Sequence, residues 1–272
     1  MPDVAVVTGA SRGIGRAIAA RLAESGYDLA LVARSEGPLA ETAALVEGFG
    51  RRALTVAADI TRRDDVERVR TTVLDAFGHV DVLVNNAGYA SRPQPFAEWD
   101  PDDWWQVIET NLRGPALLCR ALLPGMLARR SGYIVNINSL QGSKVSGAGS
   151  AYGVSKAGLM RLTDALADEV RGSGVTLFDL SPGLVRTEMT SGRPDLDALP
   201  ESAWSPPEAA AEKLAHLLSG RYDALHGRFV HLTDDLDDLV GRLAGDARLL
   251  RMRPPADPAD TTATTATTAT TA

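Results

Sequence analysis

A tyrosine and a lysine, Tyr152 and Lys156, stand four residues apart at the start of a segment with helical periodicity. That spacing puts both side chains on one helix face. A free phenol, with a pKa near ~10, is a poor acid–base catalyst at neutral pH. An ammonium beside it favours the phenolate and lowers that value, which would bring the group into working range. Upstream, Ser139 follows a β-branched run, where the end of a strand opens onto the cleft of a doubly wound sheet. A serine there can donate a hydrogen bond to a carbonyl oxygen. Tyrosine and lysine fall four apart by chance often enough that the pair alone is a weak signal.

A second chemical feature lies near the N-terminus. Thr8-Gly9-Ala10-Ser11-Arg12-Gly13-Ile14-Gly15 joins the first apolar run to the first helical pattern. Gly9 permits a tight turn, Gly13 lets backbone approach a phosphate, and Gly15 allows close helix–sheet packing. The helix N-terminus then offers free N–H groups and a positive dipole to a pyrophosphate. The spacing, Gly-xxx-Gly-x-Gly, differs from the common dinucleotide fingerprint. The next strand ends Val32-Ala33-Arg34-Ser35, with no acid at its tip. A carboxylate there would repel a 2′-phosphate, whereas Arg34 would pair with it, and Arg12 can approach from the other side. NADP(H) is therefore favoured over NAD(H), with Glu36 close enough to keep NAD(H) as the alternative.

These residues need a frame. Strand patterns over 4–7, 29–33, 54–58, 80–85, 133–137, 175–180 and 228–232 alternate with helical ones. The helical patterns run over 13–25, 37–49, 64–77, about 101–130, 152–170, 207–218 and 234–243. Such alternation predicts an α/β fold, a Rossmann-type doubly wound parallel sheet with helices on both faces. No linker interrupts it, so residues 1–252 read as one domain. The Thr-Thr-Ala repeats after Pro254, Pro255 and Pro258 have nothing large to bury, and 253–272 reads as a disordered tail. Residues 188–206 carry three prolines and no periodicity, which makes them a candidate lid.

Composition excludes several classes. The net charge of −7 disfavours nucleic acid and anionic membranes. Cys119 is the only cysteine, so neither an intramolecular disulfide nor a cysteine zinc cluster can form. No apolar run approaches the ~18 residues of a membrane helix, and the N-terminus lacks a charged leader. A cytoplasmic location is expected. His79, His216, His226 and His231 are too scattered for a metal motif. Trp99, Trp104 and Trp105 read as packing at a helix start or a substrate-entrance rim. Asp234, Asp235, Asp237 and Asp238 read as helix capping, and Met189 as lid packing or pocket wall.

Taken together, the Thr8–Gly15 loop, Asn85-Asn86-Ala87-Gly88, Asn111, Ser139, Tyr152-x-x-x-Lys156 and Pro182-Gly183 resemble the short-chain dehydrogenase/reductases. The resemblance covers about residues 4–235. It implies a seven-stranded sheet and NAD(P)-dependent hydride transfer. It assigns Tyr152 as general acid in reduction and base in oxidation, with Lys156 depressing its pKa and binding the nicotinamide ribose. Ser139 would polarise the substrate carbonyl, and Asn111 would hold a water leading from Lys156 to solvent. It gives Gly9, Ser11, Arg12, Gly13, Ile14, Gly15 and Arg34 to the phosphates, and Asp59 and Ile60 to the adenine. Asn86, Ala87 and Gly88 fall beside the ribose, and Pro182, Gly183, Val185 and Thr187 beside the carboxamide. Gln141 and Met189 join Ser139 and Tyr152 at the substrate. Asn138 departs from the pattern, standing where many members carry a second serine.

The resulting expectation is an NADP(H)-dependent reductase of a ketone or 3-oxo group, working on a small molecule with no metal. The resemblance also implies a homodimer or homotetramer, paired through residues 112–130 and 152–171. The rivals are an NAD(H)-dependent alcohol dehydrogenase working oxidatively and a non-catalytic NADP-sensing or scaffold protein. The second rival predicts loss of Ser139, Tyr152 or Lys156, and all three are present.

Overall fold

The computed structural model describes residues 3–144 and 149–243; the expected tail over 253–272 lies outside them. β1 (Val4–Thr8), α1 (Gly13–Glu24), β2 (Asp28–Ala33), α2 (Glu36–Gly48), β3 (Ala53–Ala57) and α3 (Arg63–Phe77) form the first half. The second half opens with β4 (Val82–Asn85), α4 (Pro101–Ile108), α5 (Gly114–Arg129), β5 (Gly132–Ile137), α6 (Ser150–Glu169) and β6 (Val175–Ser181). Then come β7 (Leu184–Val185), α7 (Pro194–Asp197), β8 (Trp204–Ser205), α8 (Pro207–Leu217), β9 (Arg228–His231) and α9 (Leu236–Arg242).

Seven strands pair in the order β3-β2-β1-β4-β5-β6-β9, every pair parallel. Strand alternation splits the core between two faces. Ala5 and Val7 pack with Ile18, Leu39 and Leu214 on one side. Val4 and Val6 pack with Val69 and Leu118 on the other. This double burial is why β1 and β4 are apolar without a polar face. Each fully buried leucine or isoleucine contributes about 1.5–3 kcal/mol. The order reverses between β1 and β4, so the loops after those strands part and leave a crevice at their carboxyl ends.

Two local features differ from the sequence expectation. The helix expected over 101–130 is interrupted by a π-helical turn, Glu109–Arg113. In an α-helix the donor to the Asn111 carbonyl would be Pro115, which has no N–H. The ladder widens instead, with the Gly114 N–H bonding the Glu109 carbonyl. The 188–206 segment, read as a loop, holds α7 and the strand β8, which pairs in parallel with β7. Arg186 braces it, 2.5 Å from Glu201 and with its guanidinium 4.1 Å from the Trp204 ring centroid. Two-residue strands carry no periodicity, so the pattern could not reveal them.

The acidic cluster does cap α9: Asp235 accepts the N–H groups of Asp237 and Asp238. The lone thiol of Cys119 is buried on α5, where burial pushes it up to about 12. Among the described residues no helix is long and apolar enough to cross a membrane, and no group of histidines, cysteines and acids could hold a metal.

Helix α1 can sit close to β1 only through Gly15, where a Cβ would collide with the Gly9 carbonyl and lie 2.5 Å from Asn86 Nδ2. Gly15→Ala should therefore destabilise the fold by about 1–3 kcal/mol, roughly 2–10 °C in Tm. A thermal melt superimposable on the wild type would refute that close approach.

Candidate active site

The crevice opens as a cleft of about 730 Å³. Its floor is stitched by the Thr8 hydroxyl. Thr8 Oγ1 accepts the N–H groups of Asn86 and Ala87, both at 3.0 Å, and donates to the Val84 carbonyl at 3.3 Å. Asn86 Nδ2 answers by donating to the Thr8 and Gly9 carbonyls at 2.8 and 3.3 Å. The glycine-rich loop is thereby fixed to the end of β4, with Gly9 and Gly13 in the left-handed region at φ 64° and 53°. No side chain caps the α1 N-terminus, so its backbone donors face the cleft. Across the cleft Arg12 meets Glu188 at 2.6 Å, both side chains well exposed. Arg34 stands exposed at the tip of β2 and lines the same cleft. Asp59 is held by Thr61, whose N–H and hydroxyl donate to its Oδ1 at 2.9 and 2.8 Å.

At the other end stand the acid–base candidates. Ser139 leaves β5 in extended conformation; its Oγ accepts the Gln141 N–H at 3.2 Å and also hydrogen-bonds Tyr152. Tyr152 lies in the first turn of α6. One turn on, Lys156 is buried and donates to the Ile137 carbonyl at 2.8 Å, its Nζ 5.6 Å from the Tyr152 ring centroid. Burial lowers the Lys156 ammonium to about 8, opposed by the negative charge of Asp179.

The expected depression of Tyr152 by Lys156 needs correction. Burial raises the phenol above its ordinary 10, and the opposing influences are the Ser139 hydrogen bond and the charge of Arg193. Desolvation outweighs the hydrogen bond and the Arg193 charge because removing a phenolate from water costs more than they return.

Asn111, in the π turn, is fully buried and works as a brace. Its Oδ1 accepts the Tyr89 N–H at 2.7 Å, and Nδ2 donates to the Tyr89 carbonyl at 2.8 Å and to Ser155 Oγ at 3.0 Å. Ser155 in turn donates to the Tyr152 carbonyl at 2.8 Å. Both amide hydrogens are thus committed to protein, tying the π turn to the first turn of α6. Trp104 adds a second tie, its Nε1 donating to Ser150 Oγ at 3.0 Å. Trp99 is buried, its Nε1 donating to Asp103 at 3.1 Å. Trp105 alone of the three is largely exposed, on the cleft rim.

The cleft brings together Gly9, Ser11, Arg12, Gly13, Ile14, Gly15, Arg34, Asp59, Ile60, Asn86, Ala87, Gly88, Tyr152, Lys156, Pro182, Thr187 and Met189. Asn111, Ser139, Gln141, Gly183 and Val185 lie behind or beside this lining; Gln141 is exposed and Val185 buried. Sequence reasoning missed Thr8 as the hub, Glu188 as the partner of Arg12, and Asp179. A threonine ahead of a glycine-rich loop was there to be seen; the other two reveal themselves only through distant partners.

The comparisons with known proteins agree with this geometry. The short chain dehydrogenase family model matches residues 3–196. A short chain dehydrogenase of Pseudocercospora fijiensis is 35% identical over 254 residues, 87% of this chain and 82% of that protein. The 3-oxoacyl-[acyl-carrier-protein] reductase FabG of Vibrio harveyi is 34% identical over 235 residues, covering 84% and 95% of the two chains. The crystal structure of a short-chain type dehydrogenase/reductase from Mycobacterium marinum superposes with a TM-score of 0.79. It is 28% identical and covers 84% of this chain and 93% of that one. Sheet order, strand-end crevice and these matches agree: the chain is an oxidoreductase and belongs to the short-chain dehydrogenase/reductase family.

Proposed function

We propose that this protein is an NADP(H)-dependent reductase of a ketone or 3-oxo group on a small molecule. One observation carries the reading. A hydrogen-bonded Ser139–Tyr152 pair with Lys156 one turn away stands at one end of a cleft whose other end is a glycine-rich loop flanked by arginines. The residues fit a nicotinamide dinucleotide. A Cβ at Gly9 would lie 2.9 Å from the Ala87 Cα, so the loop can close on the Asn86–Gly88 turn, and form this cradle, only because glycine stands there. Gly9, Ser11, Gly13, Ile14 and Gly15 would take the pyrophosphate on the α1 N-terminus. Arg34 and Arg12 would pair with a 2′-phosphate, and Asp59 and Ile60 would meet the adenine. Asn86, Ala87, Gly88 and Lys156 would flank the riboses, while Pro182, Gly183, Val185 and Thr187 would hold the carboxamide end. When bound, the cofactor supplies the hydride.

The protein supplies placement and a proton. The Ser139 hydroxyl donates to the substrate oxygen, and Met189 and Gln141 flank it. Tyr152 gives its phenolic proton to that oxygen as negative charge builds there, and takes it back in the oxidative direction. Burial holds Tyr152 as a neutral phenol at neutral pH, the form from which reduction starts. Lys156 then faces the phenolate with a positive charge. The relation to a 3-oxoacyl-[acyl-carrier-protein] reductase supports a 3-oxo substrate. A homodimer or homotetramer is part of the proposal: Leu127 on α5 and Val154 on α6, 37% and 50% exposed, lie on the helices that would pair. The second reading, an NAD(H)-dependent alcohol dehydrogenase, gains from the Arg12–Glu188 pair, which engages one of the two arginines.

Tyr152→Phe should cut turnover by roughly 10²–10⁴-fold while NADPH affinity, read by fluorescence titration, stays the same. Lost binding with the proton step intact would overturn the acid–base role. Arg34→Asp should weaken NADPH by about 10–100-fold and leave NADH nearly unchanged. Equal losses for the two cofactors would overturn the phosphate contact.

A further inference from the structure

Behind the Ser139 turn lies a carboxylate that the reaction described above does not use. Asp179, on β6, is 2% exposed. Its Oδ1 accepts from Asn138 Nδ2 at 3.0 Å and from Thr163 Oγ1 at 2.9 Å. Asn138 is held at both ends, because its Oδ1 accepts the Ser139 N–H at 2.8 Å. Three consecutive residues at the end of β5 thus make three separate ties. Ile137 holds Lys156 through its carbonyl, Asn138 grips Asp179, and Ser139 bonds Tyr152. On the far side, Asn136 Nδ2 donates to Thr163 Oγ1 at 2.8 Å, and Asn85 Nδ2 donates to Asn136 Oδ1 at 2.8 Å. The strand run around Asp179 is otherwise apolar and buried, Phe178 and Leu180 included. A carboxylate there costs desolvation that only well-placed partners can offset.

We propose that Asp179 is a positioning residue for the proton-transfer site: its carboxylate fixes the Asn138–Ser139 turn and balances the buried Lys156 ammonium. The inference rests on the reading of Ser139, Tyr152 and Lys156 given above. Of two groups of opposite charge, each removed from water, each favours the ionised form of the other. Burial pushes the Asp179 carboxyl up to about 7, opposed by the Asn138 and Thr163 hydrogen bonds and by Lys156. Lys156 is drawn down by burial and supported by Asp179. The other titratable groups near Asp179 are Asp164 on α6, which raises its pKa, and Cys119 on α5, whose thiol Asp179 helps to raise. His231 on β9 stands one step further, 2.9 Å from Ser181. Lys156 is the cation among them that stabilises the ionised carboxyl.

Asp179→Asn preserves the oxygen that accepts both hydrogen bonds and removes the charge. The chain has only three lysines, Lys144, Lys156 and Lys213, so carbon-13 NMR of the lysine Cε can follow Lys156 in the cofactor-free protein. Its signal is identified by its loss in Lys156→Met. In Asp179→Asn the Lys156 midpoint should fall by about one pH unit, and the alkaline limb of the kcat profile should move down with it. The sign follows from the removal of a neighbouring anion, which makes the ammonium easier to deprotonate. Asn138→Ala keeps the carboxyl group and cuts the clamp: kcat should fall about 10- to 100-fold. An unshifted midpoint in Asp179→Asn would overturn the charge role, and wild-type kcat in a folded Asn138→Ala would overturn the positioning role. Should Asp179→Asn not fold, Lys156→Met reads the same coupling from the other side. The Asp179 carboxyl should then titrate higher than in the wild type, and an equal midpoint would again overturn the proposal. Turnover retained in Tyr152→Phe would instead remove the underlying reading, leaving the NMR midpoints to decide the coupling independently.

Discussion

Thr8 Oγ1 takes two backbone N–H groups from the turn after β4 and gives its own proton to the Val84 carbonyl. This hydroxyl spans the one place where the parallel sheet changes winding direction, and there the strand ends would otherwise separate. Two orphaned N–H groups in that setting would each cost about 1–3 kcal/mol. With them satisfied, the glycine-rich loop and the Asn86–Gly88 turn form one rigid edge. The α1 N-terminus inherits its aim from that edge. So does the near contact of the loop with Thr187, whose Cγ2 would lie 3.4 Å from a Cβ at Gly13. The chemistry at the other end of the cleft can be preorganised because this end does not move independently of β4 and β5.

A second constraint is electrical. Removing a phenol, an ammonium and a carboxylate from water in one small volume works against ionising any of them. All three shift toward the neutral form: Tyr152 rises, Lys156 falls and Asp179 rises. Hydrogen bonds rather than contact ion pairs hold the arrangement, since Lys156 donates to a carbonyl and Asp179 accepts from an amide and a hydroxyl. A network of this kind is sensitive to geometry, because in a poorly screened interior each polar group depends on its partners.

What was legible in the sequence was local. Strand–helix alternation, the Gly9–Gly15 loop and the Tyr152–Lys156 spacing each declare themselves within a few residues, and the seven parallel strands followed. The direction of the Tyr152 shift was misjudged because spacing shows which charges are near and not how much water is lost. Asp179 escaped notice because its partners stand 41 and 16 residues away. The π turn was implicit in Pro115, yet a missing N–H says only that the ladder must change, not how. The ion pair between Arg12 and Glu188 joins segments that share no pattern at all.

The buried thiol of Cys119, packed between α5 and β4 beside Asn85 at 3.5 Å, bears on how the molecule meets oxidants. Thiolate is the reactive form in disulfide exchange and oxidation, and a group pushed up to about 12 supplies almost none at neutral pH. With no second cysteine in the chain, no internal partner exists for it either. Burial therefore disfavours thiol exchange at Cys119 in the folded protein. Any modification of Cys119 records a moment when α5 has lifted off the sheet, which makes this sulfur a chemical tally of core opening.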